Sequence, residues 1–309
     1  MRSAHLAVPS GLRTPDGRWL LGAADDTGPE FVVVHRAELH RILTTAAPPV
    51  RPATVTRVDT PVHSATVVTD TGETTEFDLV IGADGVGSAI RRSWPADPGI
   101  RYAGYTAWRG VTDGPFETPA AGETLGRGGR FGIAPMPDGR IYWYATASAP
   151  ADWRVPDERA ELIRRFGGRH EPIPALVHAA RADAVRRNDI LDLAAPLSTL
   201  VHGRVALAGD AAHAMTPDLG QGGNQALEDA VTLAALVARE PGIDAALARY
   251  DTTRRARTAK IARRSRQIGS VAQARGRLTG VARDTVLRLT PATRVARAAD
   301  RLQAWCPPS

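Results

Sequence analysis

Cysteine is nearly absent from this 309-residue chain: the single one, Cys306, lies close to the end. That excludes an intrachain disulfide framework and any cysteine-based metal cluster. Long apolar runs are missing too. No stretch reaches the roughly 18 apolar residues of a membrane span, and residues 1–11 lack the apolar segment of a secretory signal. The default expectation is a soluble cytoplasmic protein. What remains is an ordinary globular balance, 43% hydrophobic and 23% charged. Such a composition excludes wholesale disorder and, at this length, lets an α/β chain bury a full core unaided.

Lysine is confined to Lys260, so the basic charge is carried by arginine. Its distribution is uneven. Residues 249–301 hold 15 basic side chains against three acids (Asp251, Asp284, Asp300), whereas the whole chain is only +6. The rest is therefore net acidic. A nucleic-acid partner is not expected, because this tail has no aromatic side chain between Tyr250 and Trp305 on which bases would stack. It reads as the solvated surface of a helical tail, and as the segment available for a dimer surface or a membrane contact without stable insertion.

The first third alternates strands and turns. Asp16-Gly17 marks a hairpin between residues 12–13 and 19–21. Residues 31–34 read as a short buried strand, and 35–43 carry helical spacing through Leu39, Ile42 and Leu43. Strands follow at 55–58, 65–68 and 76–82. From Tyr102 to Asp192 the character changes: most of the aromatics lie here, on strand-like pieces at 105–111, 130–135 and 141–146 divided by Pro/Gly turns. This predicts an inserted antiparallel sheet, with helices at 157–166 and 174–182. The α/β pattern returns with a strand at 204–208 and an amphipathic helix over 223–239, followed by Ala/Arg-rich helices. The first and last thirds read as halves of one layered domain.

Two strand ends carry the chemistry. In the first, the apolar run 78–82 leads into Ala83-Asp84-Gly85-Val86-Gly87-Ser88. That turn presents backbone N–H groups and an acid beyond the carboxyl end of a strand, where open α/β sheets bind nucleotides. Ser88 is placed to cap the following helix, and Arg91 and Arg92 to meet phosphates. In the second, the strand at 204–208 ends in Gly209-Asp210, followed by a loop with Pro217, Gly220, Gly222, Gly223 and Asn224. The Asp210 carboxylate suits sugar-alcohol hydroxyls. The glycines admit a flat ligand against bare backbone, and the helix behind supplies unpaired N–H groups and partial positive charge. His213, in this loop, reads as a turn or helix histidine, with a catalytic acid as the alternative. The other histidines lack metal-ligand spacing, and neither Ser88 nor Ser198 has a G-x-S-x-G context. No metal is expected.

Both stretches resemble the signatures of the FAD-dependent aromatic hydroxylases, the class A flavoprotein monooxygenases that include the p-hydroxybenzoate, salicylate and urate hydroxylases and zeaxanthin epoxidase. Asp84-Gly85 resembles the family's contact with FAD pyrophosphate and NAD(P)H, and Gly209-Asp210 its contact with the ribityl chain. Residues 217–224 resemble the loop beside the isoalloxazine. Arg36 resembles the arginine at the FAD ribose and phosphates, and residues 105–110 the strand that opens the substrate sheet. The resemblance implies FAD as cofactor, NADH or NADPH as electron donor, and transfer of one oxygen of O2 to an aromatic or electron-rich small molecule through a C4a-hydroperoxyflavin. It names no catalytic side chain. Trp108, Arg109, Tyr142 and Tyr144 are the candidate substrate residues, with the aromatic trio open to either a core or a cavity role.

The family opens with a strand, a G-x-G-x-x-G turn and a helix; no G-x-G-x-x-G occurs here. The chain reads as starting after that βαβ unit, either through a late-assigned start that leaves a fragment or as a true truncation, so it is expected to bind FAD poorly by itself. The expected architecture is an incomplete, three-layer Rossmann-like α/β domain (residues 1–100 and 196–240), an inserted antiparallel substrate domain (101–195) and Arg-rich C-terminal helices (241–309). The alternative function is a cofactor-free remnant that binds a small molecule.

Overall fold

The computed structural model describes residues 10–22 and 34–308. The strands are β1 (Ser10–Arg13), β2 (Trp19–Gly22), β3 (Val55–Asp59), β4 (Ala65–Thr69), β5 (Thr74–Phe77), β6 (Val80–Gly82), β7 (Ile100–Val111), β8 (Ala121–Leu125), β9 (Gly129–Pro135), β10 (Ile141–Ser148), β11 (Arg186–Leu193), β12 (Val201–His202) and β13 (Val205–Leu207). The helices are α1 (Arg36–Ala46), α2 (Ala89–Arg92), α3 (Glu158–Phe166), α4 (Ile173–Ala179), α5 (Asp210–His213), α6 (Gly222–Arg239), α7 (Ile243–Ala272), α8 (Arg277–Leu289) and α9 (Ala292–Gln303). The α/β class holds. The strand expected at 31–34 has its first three residues outside the described set.

The chain forms two compact units. The first takes the described residues up to 49 together with 104–190 and 270–304; the second takes 50–103, 191–269 and 305–308. The Asp16-Gly17 hairpin forms as expected, Leu12 opposite Leu21. Its place was not expected. β1 pairs in parallel with β8, Gly11 opposite Gly122, which adds the hairpin to the middle sheet. That sheet runs β11-β7-β10-β9-β8-β1-β2 among the described residues.

Alternation divides the faces of this sheet, since successive side chains on a strand point to opposite sides. Trp108, Phe131, Ile133, Trp143, Ala145 and Ala147 pack on one face against Leu162 and Phe166 of α3 and Ile173, Leu176 and Val177 of α4. Phe131 stacks on Trp143 at 5.8 Å, and Trp108 meets Phe166 edge-on at 6.4 Å. Burying such a ring contributes roughly 2–3 kcal/mol over leaving it in water. α3 starts where it does because the Asp157 carboxylate accepts the Ala160 N–H at 2.9 Å, a side-chain N-cap.

In the second unit β6 pairs in parallel with β13, Val80 opposite Val205 and Gly82 opposite Leu207, and β12 adds to β13 in antiparallel fashion. β3, β4 and β5 form a separate antiparallel sheet. The core joins Ile90, Trp94, Val205, Ala206 and Leu207 to Leu233 and Leu236 of α6 and Ala246, Leu247 and Tyr250 of α7. The Tyr250 hydroxyl donates to the Leu207 carbonyl at 2.9 Å. α7 is therefore anchored to the strand that leads into Gly209.

Candidate functional site

The first strand end forms a capped turn. Asp84 Oδ2 accepts the Ala89 N–H at 2.8 Å and the Ile90 N–H at 3.4 Å, and Ser88 Oγ accepts the Arg91 N–H at 2.9 Å. One oxygen of the exposed Asp84 is thus occupied in starting α2. The Ser88 cap is as expected; Arg91 is not where a phosphate would find it. Its guanidinium is fully buried and donates to Asp97 Oδ1 (3.0 Å), the Ala211 carbonyl (3.1 Å) and the Val86 carbonyl (2.7 Å). The neighbouring apolar packing of Ile90 and Trp94 turns Arg91 inward. Arg92 is exposed.

The second strand end turns at Gly209, whose φ of 59° and ψ of −141° lie where a Cβ would strain the backbone. An ideal Cβ there would also come within 3.3 Å of Ala226. Asp210 follows, exposed, and its carboxylate takes no side-chain hydrogen bond among the described residues. Pro217 opens a short 3-10 turn that ends at Gly220, and α6 begins two residues later. Pro217, Gly220, Gly223 and Asn224 are all exposed. The first turn of α6 has no side-chain cap, so its leading N–H groups remain available. A Cβ built on Gly222 would stand 4.0 Å from Asp210 Oδ1, so the acid and the helix start share one locality.

Behind this open surface lies a closed polar cluster that sequence reading missed. Asp229 Oδ2 accepts the Gly209 N–H at 2.8 Å and His213 Nε2 at 2.6 Å, while its Oδ1 accepts Arg254 Nε at 2.7 Å. Arg254 also donates to Glu228 (2.5 Å) and to the Gln225 carbonyl (3.1 Å), and Arg257 forks onto both Glu228 oxygens at 2.7 and 2.8 Å. Asp229 and Arg254 are fully buried. Burial alone would raise the Asp229 pKa. The His213 hydrogen bond, the His213 and Arg254 charges and the Gly209 amide together hold it below the ordinary carboxylate value. His213 is thus a structural member of this cluster. From α7, Ser265 donates to the Thr216 carbonyl at 2.6 Å and accepts from Thr216 Oγ1 at 3.1 Å, fixing the loop's approach to Pro217. One signal was readable: Gln225, Glu228, Asp229 and Thr232 form a polar stripe on the buried side of α6.

The candidate substrate residues belong to the first unit, and they separate by face. Trp108 is fully buried, its indole N–H donating to Glu158 at 2.8 Å; it is a core residue. Arg109, Tyr142 and Tyr144 lie on the opposite face, with Tyr144 opposite Arg109 across β7 and β10. The two tyrosine rings stand 6.1 Å apart. Tyr144 donates to Glu123, and Glu123 faces Arg130 at 3.5 Å. Burial, with Glu123 beside it, pushes the Tyr144 phenol well above its ordinary pKa, so the hydroxyl keeps its proton. Gly132 sits opposite Tyr144 on β9 because the ring lies over it; a Cβ would fall 2.2 Å from the ring. Glu123, Arg130 and Gly132 are members of this face that sequence reading did not select. Arg36 stands exposed in the first turn of α1, in the same unit, after the His35 cap. The candidates therefore form two groups: Asp84, Gly85, Gly209, Asp210 and 217–224 in the second unit, and Arg36 with the sheet residues in the first.

The chain is similar to several known proteins. An aurachin C monooxygenase/isomerase of Stigmatella aurantiaca is 42% identical over 227 residues, 72% of this chain and 59% of that protein. An FAD-dependent urate hydroxylase of Klebsiella pneumoniae is 39% identical over 208 residues, 65% of this chain and 53% of the relative. The chain spans between half and three fifths of the length of these relatives. Among solved structures, Klebsiella pneumoniae HpxO complexed with FAD and uric acid superposes with a TM-score of 0.87 at 30% identity, covering 96% of this chain and 79% of that one. The family described as FAD binding domain matches residues 24–265, which take in both strand ends, the glycine loop and the Asp229–Arg254 cluster. On that match the chain belongs to the FAD binding domain family.

Proposed function

We propose that this chain carries the flavin-ring and substrate portions of an FAD-dependent monooxygenase that hydroxylates a planar aromatic or other electron-rich small molecule, with NADH or NADPH as electron donor. The observation that carries the reading is Asp210. It is an exposed carboxylate without a side-chain partner, at the end of a buried strand, beside an uncapped helix start and next to a Gly209 amide held by the buried Asp229–Arg254 cluster. A turn that served only the fold would leave no carboxylate and helix start open side by side.

The ribityl and ring end of FAD fits these residues. Asp210 would accept hydrogen bonds from the ribityl hydroxyls, and Pro217, Gly220, Gly222, Gly223 and Asn224 would border the ring, with the α6 N–H groups turned to its electron-rich edge. Asp84 and Gly85 would lie at the pyrophosphate, whose oxygens would accept from backbone N–H groups of that turn. No G-x-G-x-x-G turn is present for the adenosine end. When bound, the flavin supplies the redox and oxygen-activating chemistry. On the sheet, the protonated Tyr144 orients Glu123, Arg109 offers a cation, and Tyr142 with Tyr144 supplies an aromatic wall. Relatives act in keeping with such a wall: beside the two named above, a 3-amino-4-hydroxybenzoate 2-monooxygenase of Streptomyces cremeus is 34% identical over 250 residues.

The test is a titration with FAD, read by absorption and by quenching of flavin fluorescence, followed by NAD(P)H oxidation with candidate aromatics. Weak, saturable binding that Asp210→Asn weakens further is the expected result. Absence of flavin binding together with tight binding of an aromatic ligand would replace this reading with the cofactor-free alternative.

A further inference from the structure

The C-terminal helices carry a surface that no flavin chemistry requires. The inward side of α8 carries Gly280 and Arg283, both buried, and the half-buried Leu287, and Arg283 donates to the Gly126 and Ala272 carbonyls at 3.0 and 3.1 Å. The outward side is aliphatic. Leu278, Val281, Val286 and Leu289 are 85%, 60%, 63% and 77% exposed. At 100° per residue they fall within an arc of about 140°. This inverts the usual arrangement, in which the apolar stripe faces the core.

Charge borders the stripe. Arg277 and Arg288, about three turns apart, both lie along its Val281 edge and are exposed, and α9 follows with Arg294, Arg297 and Arg301 on one face at spacings of three and four. None of the five has a carboxylate partner within 4 Å among the described residues. The two acids of this segment are Asp284, which pairs with Arg283 at 2.8 Å, and Asp300.

We infer that α8 and α9 dock on an anionic lipid bilayer. α8 lies in the plane of the interface, its four aliphatic side chains among the acyl chains and the arginines at the phosphates. Charge decides between occupants. A second copy laid on the same face would bring two sets of unpaired arginines together, whereas an anionic surface neutralises them. Nucleic acid would meet the arginines but leave four aliphatic side chains in water, and residues 277–303 contain no aromatic to stack. The attachment is superficial: 13 residues of helix span about 20 Å, short of a hydrocarbon core of about 30 Å. No helix among the described residues is long and apolar enough to cross a membrane. This inference stands apart from the flavin reading.

Co-sedimentation of the 309-residue chain with phosphatidylcholine vesicles, and with equimolar phosphatidylcholine–phosphatidylglycerol vesicles, tests it. Binding is expected on the anionic vesicles and should fall as salt rises from about 0.05 to about 0.3 M. The double variant Leu278→Gln/Leu289→Gln should lose about a hundredfold in affinity, and Arg277→Gln/Arg288→Gln roughly thirtyfold. All four side chains are exposed, so melting temperatures should match the parent. No binding to anionic vesicles overturns the inference, as does equal binding to neutral ones or binding unaltered in both variants. A dimer in sedimentation velocity that the leucine variant dissociates would assign the face to a second copy. Duplex DNA binding that ignores the leucine changes would assign the arginines to nucleic acid.

Discussion

Asp229 and Asp210 belong to the same unit, and both address the turn at Gly209, yet they meet opposite circumstances. Asp229 is buried with both oxygens committed, to the Gly209 amide, His213 and Arg254. Asp210, one residue beyond that amide, is exposed with its carboxylate unspent. The first builds the turn; the second is what the turn presents. Burial with counter-charges, rather than residue type, separates the two acids.

The contrast predicts its own breakage. Asp229→Ala should cost about 3–5 kcal/mol, because the buried Arg254 would lose one of its two carboxylate partners while His213 and the Gly209 amide would lose their acceptor; chemical denaturation measures this, and a loss under about 1 kcal/mol would mean the cluster is not structural. The pH dependence is next in size. The Asp229 and Glu228 carboxylates are held below their ordinary values, burial opposing and the hydrogen bonds and arginine charges prevailing. A depressed folded-state pKa contributes stability that is present above the unfolded value and is lost as pH falls through the folded one. Acid melts below about pH 4 should therefore show a steep decline, and Asp229→Asn should flatten it. Asp210→Asn should move stability by no more than about 0.5 kcal/mol while weakening flavin binding about tenfold, as for loss of a charge-assisted hydrogen bond. The reverse pattern would exchange the two roles. Smallest in stability, Arg109→Ala, half-buried on the face opposite Trp108, should be near neutral, within about 0.5 kcal/mol. Trp108→Ala, one residue away in the core, should cost about 3–5 kcal/mol.

That last pair shows how far the sequence was legible. Hairpin, strand ends, the Ser88 cap and the long helix after the glycine loop all follow from local chemistry, and all are found. Trp108 and Arg109 were grouped as substrate candidates although neighbours on a strand cannot share a face; alternation would have separated them, but which face is covered depends on α3 and α4, some 50 residues further on. Partners remote in sequence left little local trace beyond the polar stripe of α6. Asp229 and Arg254 are 25 positions apart, and β1 meets β8 across more than a hundred residues. Arg91 was assigned to phosphate by type alone, since nothing near it in sequence announces the Ala211 carbonyl it reaches.

Arg91 has a wider consequence. One guanidinium grips the carbonyls of Val86 and Ala211, one just beyond each of the two strand ends, so the turns behave as jaws on a common pin. An insertion or deletion in either turn would displace the other through this side chain. Lysine, a single point of attachment, could not hold both jaws and Asp97 at once. The two signatures, more than a hundred positions apart in the chain, are therefore one mechanical part, and a change in the spacing of either is tolerable only with a matching change in the other.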